Sequence, residues 1–255
     1  MPELLAGKTA LILGVANKWS LAYAIAQAFR REGAKLLLTY QGERQKETVT
    51  ELGSELGAAA VFECDVTKEG DLAKLAETVR QHGRLDVLVH SIAFANREDL
   101  AKPFVETSRE GYLLAQDVSA YSLVSAARTV APLMTEGGSV MTLSYLGATR
   151  VVTNYNVMGV AKAALEACVR YLSSDLGPSN IRVNAISAGP VKTVAARGIA
   201  GFSKMLEEMP ARSPLRRNCT PEEVADAAVF LASDLGRGVT GNVLFVDAGY
   251  QVMGF

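Results

Sequence analysis

Seven short apolar runs are spaced along the chain, and helical periodicity fills most of the intervals between them. Lys8 to Leu13, Ala34 to Tyr40, Ala58 to Cys64, Asp86 to His90, Ser139 to Leu143, Ile181 to Ile186 and Val243 to Val246 read as strands. After the first run, Leu21, Ala24, Ile25, Ala28 and Phe29 recur at helical spacing, and Gly33 supplies a stop. Strand, glycine turn, helix, strand is a βαβ unit, whose crossover is right-handed. A long helix is predicted over about Ser108 to Met134. Another starts near Asn154 and carries Val157, Val160, Ala161, Ala164, Leu165, Cys168, Val169 and Leu172, apolar nearly all the way round. Such a helix is expected to be covered on both sides, by the sheet and by a second subunit. Thr220-Pro221-Glu222-Glu223 is a capping box with proline at the first helical position. There is no linker and no repeat of solenoid period. The pattern predicts an α/β fold, a single-domain, doubly wound (Rossmann-like) parallel seven-stranded sheet with helices on both faces, spanning residues 1–255.

Composition narrows the function classes. The 255 residues are 49% hydrophobic with a net charge of −1, a balance that points to neither nucleic acid nor a membrane surface as partner. MPELLAGKTALIL lacks a basic leader followed by a long apolar region, so no secretion signal is expected. No apolar run approaches the ~20 residues that span a bilayer. Cys64, Cys168 and Cys219 are odd in number and far apart, as suits idle thiols in a reducing cytoplasm. His82 and His90 are too few for a histidine metal site, and no metal is expected.

The candidate chemistry lies around the fifth run and the helix after it. Tyr155 and Lys162 are seven residues apart. At 3.6 residues per turn their side chains leave one helix face, ~10 Å apart along the axis. Gly159 between them is expected to keep that face open. A phenol and an ammonium over one groove make a proton donor and a cation that depresses its pKa. A second phenol, Tyr145, ends the preceding strand. The ordinary alternative is that tyrosine and lysine share a helix for packing and solubility.

Other strand ends suit a dinucleotide. The turn GVANKWSLA has one glycine, Gly14, and is a poor match to GxGxxG. Ser20 at the helix start suits a pyrophosphate, and equally suits a plain N-cap. After the second strand Gln41 replaces the acid that commonly holds the ribose hydroxyls. Arg44 nearby suggests NADPH instead, though one basic residue on a helix start is more often solvated. Asp65, followed by Val66, suits either the adenine amino group or the cap of the next helix. Ser91 to Ala95 supplies small residues at a strand's C-terminal edge, where open α/β sheets bind ligands. Val194 to Leu206 mixes apolar and polar positions, as in a mobile lid over a hydrocarbon chain or an ordinary surface helix.

Taken together, GVANKWSLAYAIAQAF, CDV, HSIAFA, LSYLGA, NYNVMGVAKAALEA, RVNAISAGPVKT and VTGNVLFVDAGY resemble the short-chain dehydrogenase/reductase superfamily. Within it, the chain is most similar to the bacterial enoyl-acyl-carrier-protein reductases of type II fatty-acid synthesis, over essentially its whole length. Ordinary members place lysine four residues after tyrosine, where this chain has Gly159. The longer spacing and Tyr145 mark the enoyl reductase branch and argue against a carbonyl reductase. Intact Tyr155 and Lys162 argue against a non-catalytic sensor.

The resemblance implies hydride transfer from NADH, with NADPH left open, to a trans-2-enoyl thioester on acyl carrier protein. It implies that Tyr155 and Lys162 are catalytic together with Tyr145, and that Ala95, Tyr145 and Tyr155 touch substrate. It places cofactor at Gly14, Ser20, Leu21, Gln41, Asp65, Val66, Ser91, Ile92, Lys162, Val191, Lys192, Thr193, Val194 and Ala195. A lid over 192–210 and a homotetramer are further expectations, with Arg197 and Lys204 as candidates to attract the acidic carrier. Two departures stand out. Asp117 takes the place of the superfamily's asparagine in the central helix, and Ala93 stands where these reductases commonly have glycine.

Overall fold

The computed structural model describes residues 3–193 and 201–254. Among them β1 (Thr9–Leu13), β2 (Lys35–Tyr40), β3 (Ala60–Glu63), β4 (Val87–His90), β5 (Gly138–Ser144), β6 (Ile181–Ala188) and β7 (Val243–Val246) form one parallel sheet. The strand order is β3-β2-β1-β4-β5-β6-β7. Every predicted run is a strand, with ends moved by no more than two residues.

The helices are α1 (Leu21–Arg31), α2 (Glu43–Leu56), α3 (Glu69–Gln81), α4 (Arg97–Ala101), α5 (Arg109–Gln116), α6 (Ser122–Val130), α7 (Asn156–Leu176), α8 (Phe202–Arg212) and α9 (Pro221–Ala232). They cover both faces of the sheet, as the period-two alternation of strand side chains requires. Ala10, Ile12, Leu36 and Leu38 pack with α1, α2 and α9 on one face. Leu11, Leu13, Leu37 and Leu88 pack with α3, α6 and α7 on the other. The predicted doubly wound sheet is therefore the observed one.

The chain runs outward from β1 to β3, then returns to place β4 on the other side of β1. That reversal opens a crevice beyond Leu13 and His90, which are paired in register. Local chemistry sets the element ends nearby. Gly33 (φ +85°) stops α1, and the N–H groups of Gly33 and Ala34 donate to the Arg30 and Phe29 carbonyls. The capping box on α9 forms as read, with Thr220 and Glu223 bonded reciprocally.

The helix expected over 108–134 is interrupted. Asp117–Tyr121 is a π-helical turn between α5 and α6, where the Ser122 hydroxyl donates to the Val118 carbonyl at 2.6 Å. Apolar periodicity does not register a widened turn, and such turns concentrate at functional sites. Asp117 is exposed. The turn's buried contact to the cleft is Ser119, whose hydroxyl accepts from the Phe94 N–H at 2.9 Å and donates to its carbonyl at 3.0 Å. No helix among the described residues is long and apolar enough to cross a membrane.

Candidate active site

The crevice has a binding end formed mainly by backbone. Gly14 follows β1 with φ +91°, and a Cβ there would fall on the Ser91 carbonyl, 2.8 Å from its carbon. Only glycine permits that approach between the ends of β1 and β4. The Ser91 N–H donates back to the Leu13 carbonyl at 3.1 Å, and Ile92 lies against the same glycine. Ser20 is the N-cap of α1. Its hydroxyl accepts from the Tyr23 N–H at 3.2 Å and donates to the Asn17 carbonyl at 2.8 Å. Leu21 opens the helix beside it.

The neighbouring strand ends complete this half of the crevice. Gln41 is exposed at the end of β2, and its side chain bonds Asp65 after β3. The Asp65 carboxylate accepts from the Thr67 N–H (3.1 Å) and hydroxyl (2.7 Å), and Lys68 lies at 3.3 Å. Burial raises its pKa, but Thr67, Lys68 and Gln41 together hold it below the usual range. Asp65 thus shapes its own turn, while Val66 beside it is buried. Beyond β6, Val191 is buried and its carbonyl accepts from the Thr193 N–H at 2.8 Å, with Lys192 exposed between them. Val194, Ala195 and Arg197 lie outside the described residues.

The other end of the crevice is formed by side chains. Tyr155 does not sit within a helix, as the predicted start near Asn154 implied. It is the N-cap residue of α7, in αR conformation with no side-chain cap bond. Asn154 and Asn156 on either side have φ +65° and +39°, a left-handed pair that non-glycine residues avoid unless held. The Asn156 amide is held. It donates to the Leu100 and Lys102 carbonyls at 2.9 and 2.7 Å.

The Tyr155 ring lies edge-on to Tyr145, with centroids 5.1 Å apart at 71°, and a Cβ on Gly147 would strike it. Ala95 packs against the same cluster. Gly159 does not leave an open face. A Cβ there would come within 2.8 Å of the Gly147 carbonyl, so this glycine admits the 146–148 turn that backs the tyrosine. The Tyr145 hydroxyl reaches Met205 Sδ on α8 at 3.0 Å.

Lys162 is buried, and its ammonium donates to the Leu143 carbonyl at the end of β5, 2.7 Å away. Burial brings its pKa down to about 8, against a smaller upward pull from Glu166. Burial pushes the Tyr145 hydroxyl up to about 12 and raises Tyr155 also, with Tyr145 adding to it. The expectation that a cation depresses the Tyr155 pKa is therefore reversed. Desolvation disfavours the phenolate, and Lys162 is turned to a backbone carbonyl. Tyr155 stays a neutral hydrogen-bond donor.

His90 is fully buried behind Lys162. Its Nδ1 lies 3.0 Å from the Thr142 hydroxyl and its Nε2 lies 2.8 Å from that of Ser122. Burial first, then the Lys162 charge, lowers its pKa to about 3, so the imidazole is neutral.

The structure brings together Gly14, Ser91 and Ile92 at one end and Ala95, Tyr145 and Tyr155 at the other. Lys162 lies at the end of β5, beneath the same sheet edge. Sequence reasoning missed Asn156, Glu166, His90 and Ser119. Only the asparagines flanking Tyr155 carried a signal, since asparagine is enriched in left-handed backbone. The donor set fits a flat dinucleotide: a glycine cradle a Cβ would fill, a helix N-terminus beside it and a neutral Gln41 at the end of β2.

Residues 14–251 match a family model described as enoyl-(acyl carrier protein) reductase. The chain is 54% identical to the NADH enoyl-acyl-carrier-protein reductase of Bacillus cereus, over 99% of this chain and 100% of that one. It is 51% identical to the corresponding Nostoc enzyme, over 98% of each chain. Among solved structures, a Bacillus cereus enoyl-acyl carrier protein reductase with NADP+ and indole naphthyridinone superposes with a TM-score of 0.98 at 53% identity, all of both chains covered. The Anaplasma phagocytophilum enzyme in complex with NAD superposes at 0.95 and 45% identity, over 100% of this chain and 96% of that one.

Proposed function

This chain belongs to the enoyl-acyl-carrier-protein reductase family, and we propose that Tyr145, Tyr155 and Lys162 carry its reaction. The enzyme reduces the carbon–carbon double bond of trans-2-enoyl thioesters on acyl carrier protein, in fatty-acid synthesis, with NAD(H) as its cofactor. Bound NADH supplies the hydride for the β-carbon. The chain's own residues do the rest. Tyr155, neutral at working pH, donates a hydrogen bond to the thioester oxygen as enolate charge gathers there. A preorganised donor of this kind is worth about 3 kcal/mol of barrier. A proton taken from solvent at the α-carbon then completes reduction. Lys162, cationic below about pH 8, holds the nicotinamide ribose and biases the field toward the enolate. Tyr145 orients the acyl group beside Ala95.

The cofactor lies along Gly14, Ser20, Leu21, Gln41, Asp65, Val66, Ser91, Ile92 and 191–195. Gln41 is neutral, which favours NADH; Arg44 keeps NADPH as a second reductant. The whole chain acts as one catalytic domain, with 192–210 as the lid. The contact of Tyr145 with Met205 and the burial of Phe202 and Met209 support a lid seated on the site. Exposed Tyr112 and Leu113 on α5, Tyr121 after it and Tyr171 on α7 support a homotetramer through these helices. The enzyme works in the cytoplasm. Lys204 is exposed but lies 3.7 Å from Glu208, which weakens its attraction for an acidic carrier.

The carrying observation is the edge-on pair of Tyr145 and Tyr155 over the end of β5, with Lys162 bonded beneath it. Crotonyl thioester and NADH should lose nicotinamide absorbance when the protein is added. Tyr155→Phe should slow turnover about a hundredfold and leave NADH affinity intact. Turnover unchanged in that variant would remove Tyr155 from the chemistry.

A further inference from the structure

Glu166 is buried on α7, one turn beyond Lys162 and on the same face. The two charged side chains grip consecutive residues of β5. Lys162 donates to the Leu143 carbonyl at 2.7 Å, and the Ser144 hydroxyl donates to Glu166 Oε1 at 2.5 Å. That hydroxyl donor favours the ionised carboxylate, against the burial that raises its pKa. Tyr145 is the next residue. Nothing in hydride transfer requires a carboxylate here, and an acid at 6% exposure is not retained for solubility.

We propose that Glu166 is a positioning residue that keeps Lys162 cationic at neutral pH and fixes the end of β5 from which Tyr145 projects. This rests on the reading of Lys162 as the group that holds the nicotinamide ribose.

Among the described residues, Glu166 is the charge that supports the Lys162 ammonium, acting through space and not as a close ion pair. On β4, His90 faces Lys162 and is neutral, so it neither compensates nor repels. Tyr155 and Tyr145 are both held protonated. Arg170, a further turn along α7, faces Glu166 and favours its ionised form, as does Lys162. Burial pulls both members toward neutrality, Glu166 upward and Lys162 downward. Each therefore supports the other's charge. Without the carboxylate, the ammonium would have only the Leu143 carbonyl dipole, among the described residues, against the desolvation it suffers.

The test is the titration of Lys162 in the ligand-free enzyme. Side-chain NMR on 13C-lysine protein would follow it, with Lys162→Met to identify the resonance. Glu166→Gln keeps the shape and removes the charge. It should lower the Lys162 titration point by about one pH unit or more. NADH affinity, read by fluorescence, should then fall about fivefold at pH 8 and hardly change at pH 6. Glu166→Asp retains the charge and should titrate near the parent.

An unshifted Lys162 in Glu166→Gln, with NADH weakened equally at both pH values, would reduce Glu166 to a structural part and overturn the proposal. Should the glutamine variant not fold, the aspartate variant decides: a Lys162 titration lowered there despite the retained carboxylate overturns the proposal, and one near the parent upholds it. If instead Lys162→Met binds NADH as tightly as the parent, the fault lies with the role given to Lys162, not with its coupling to Glu166.

Discussion

Two helices begin at the C-terminal edge of the sheet and start in opposite ways. At α1, Ser20 takes an ordinary extended conformation and its hydroxyl caps the first turn. At α7, Tyr155 takes the cap position with no capping bond, between two left-handed asparagines. The first start leaves backbone N–H groups at the sheet edge and needs only local chemistry. The second presents a side chain, and the strained backbone that aims it is held from outside, by the carbonyls of Leu100 and Lys102. Binding of a polyanion tolerates a generic helix end. Positioning one phenol within a few tenths of an ångström does not.

The sharpest way to break that contrast is at the binding end. Gly14→Ala puts a Cβ against the Ser91 carbonyl at a positive φ. It should cost about 3 kcal/mol of stability or more and weaken NADH at least tenfold, by urea unfolding and fluorescence titration. A stable variant that binds normally would mean that the crevice opens without strain.

Asn156→Ala tests the other start. Loss of both amide bonds should lower kcat about tenfold and stability by about 2 kcal/mol. Because Asn156 acts through Tyr155, the same change in a Tyr155→Phe background should take little further from kcat. An additive loss would separate the two residues.

Titration of Lys162 offers a third test. Its pKa is depressed, so NADH affinity should fall as pH rises through about 8. Stability should move the other way. Above about pH 8, and until free lysine itself deprotonates, the unfolded chain binds a proton the folded chain does not. Stability then rises with pH across that window. Lys162→Met should abolish both trends in binding and chemical-denaturation profiles.

The smallest effect is expected at Ser20. Removal of the cap in Ser20→Ala should cost about 1 kcal/mol. A loss of NADH affinity beyond that, at saturating stability, would show that the hydroxyl serves the pyrophosphate as well as the helix.

Much of this was legible along the chain. The alternation of Ala10 and Ile12 with Leu11 and Leu13 divides one strand between two cores, and such patterning is a local property. So are the Gly33 stop and the Thr220 capping box. The candidate group of Tyr145, Tyr155 and Lys162 was legible in part, the last two by spacing and Tyr145 by its place at the end of β5. Its supports were not. Serine, histidine and glutamate at positions 119, 90 and 166 look like any others until β4, β5, the π-helical turn and α7 are packed together. Gly159 misled for the same reason, since a missing side chain reads as open space until another backbone is found in it.

The chain by itself determined the strands, their two-sided burial and the candidates for the reacting groups, because hydrophobic period and residue chemistry are written locally. Only the tertiary structure decided that Tyr155 remains neutral, that Lys162 is turned to Leu143 and that Glu166 stands behind it. Desolvation and hydrogen bonding depend on what distant segments bring to a buried group, and no spacing along one helix contains that information.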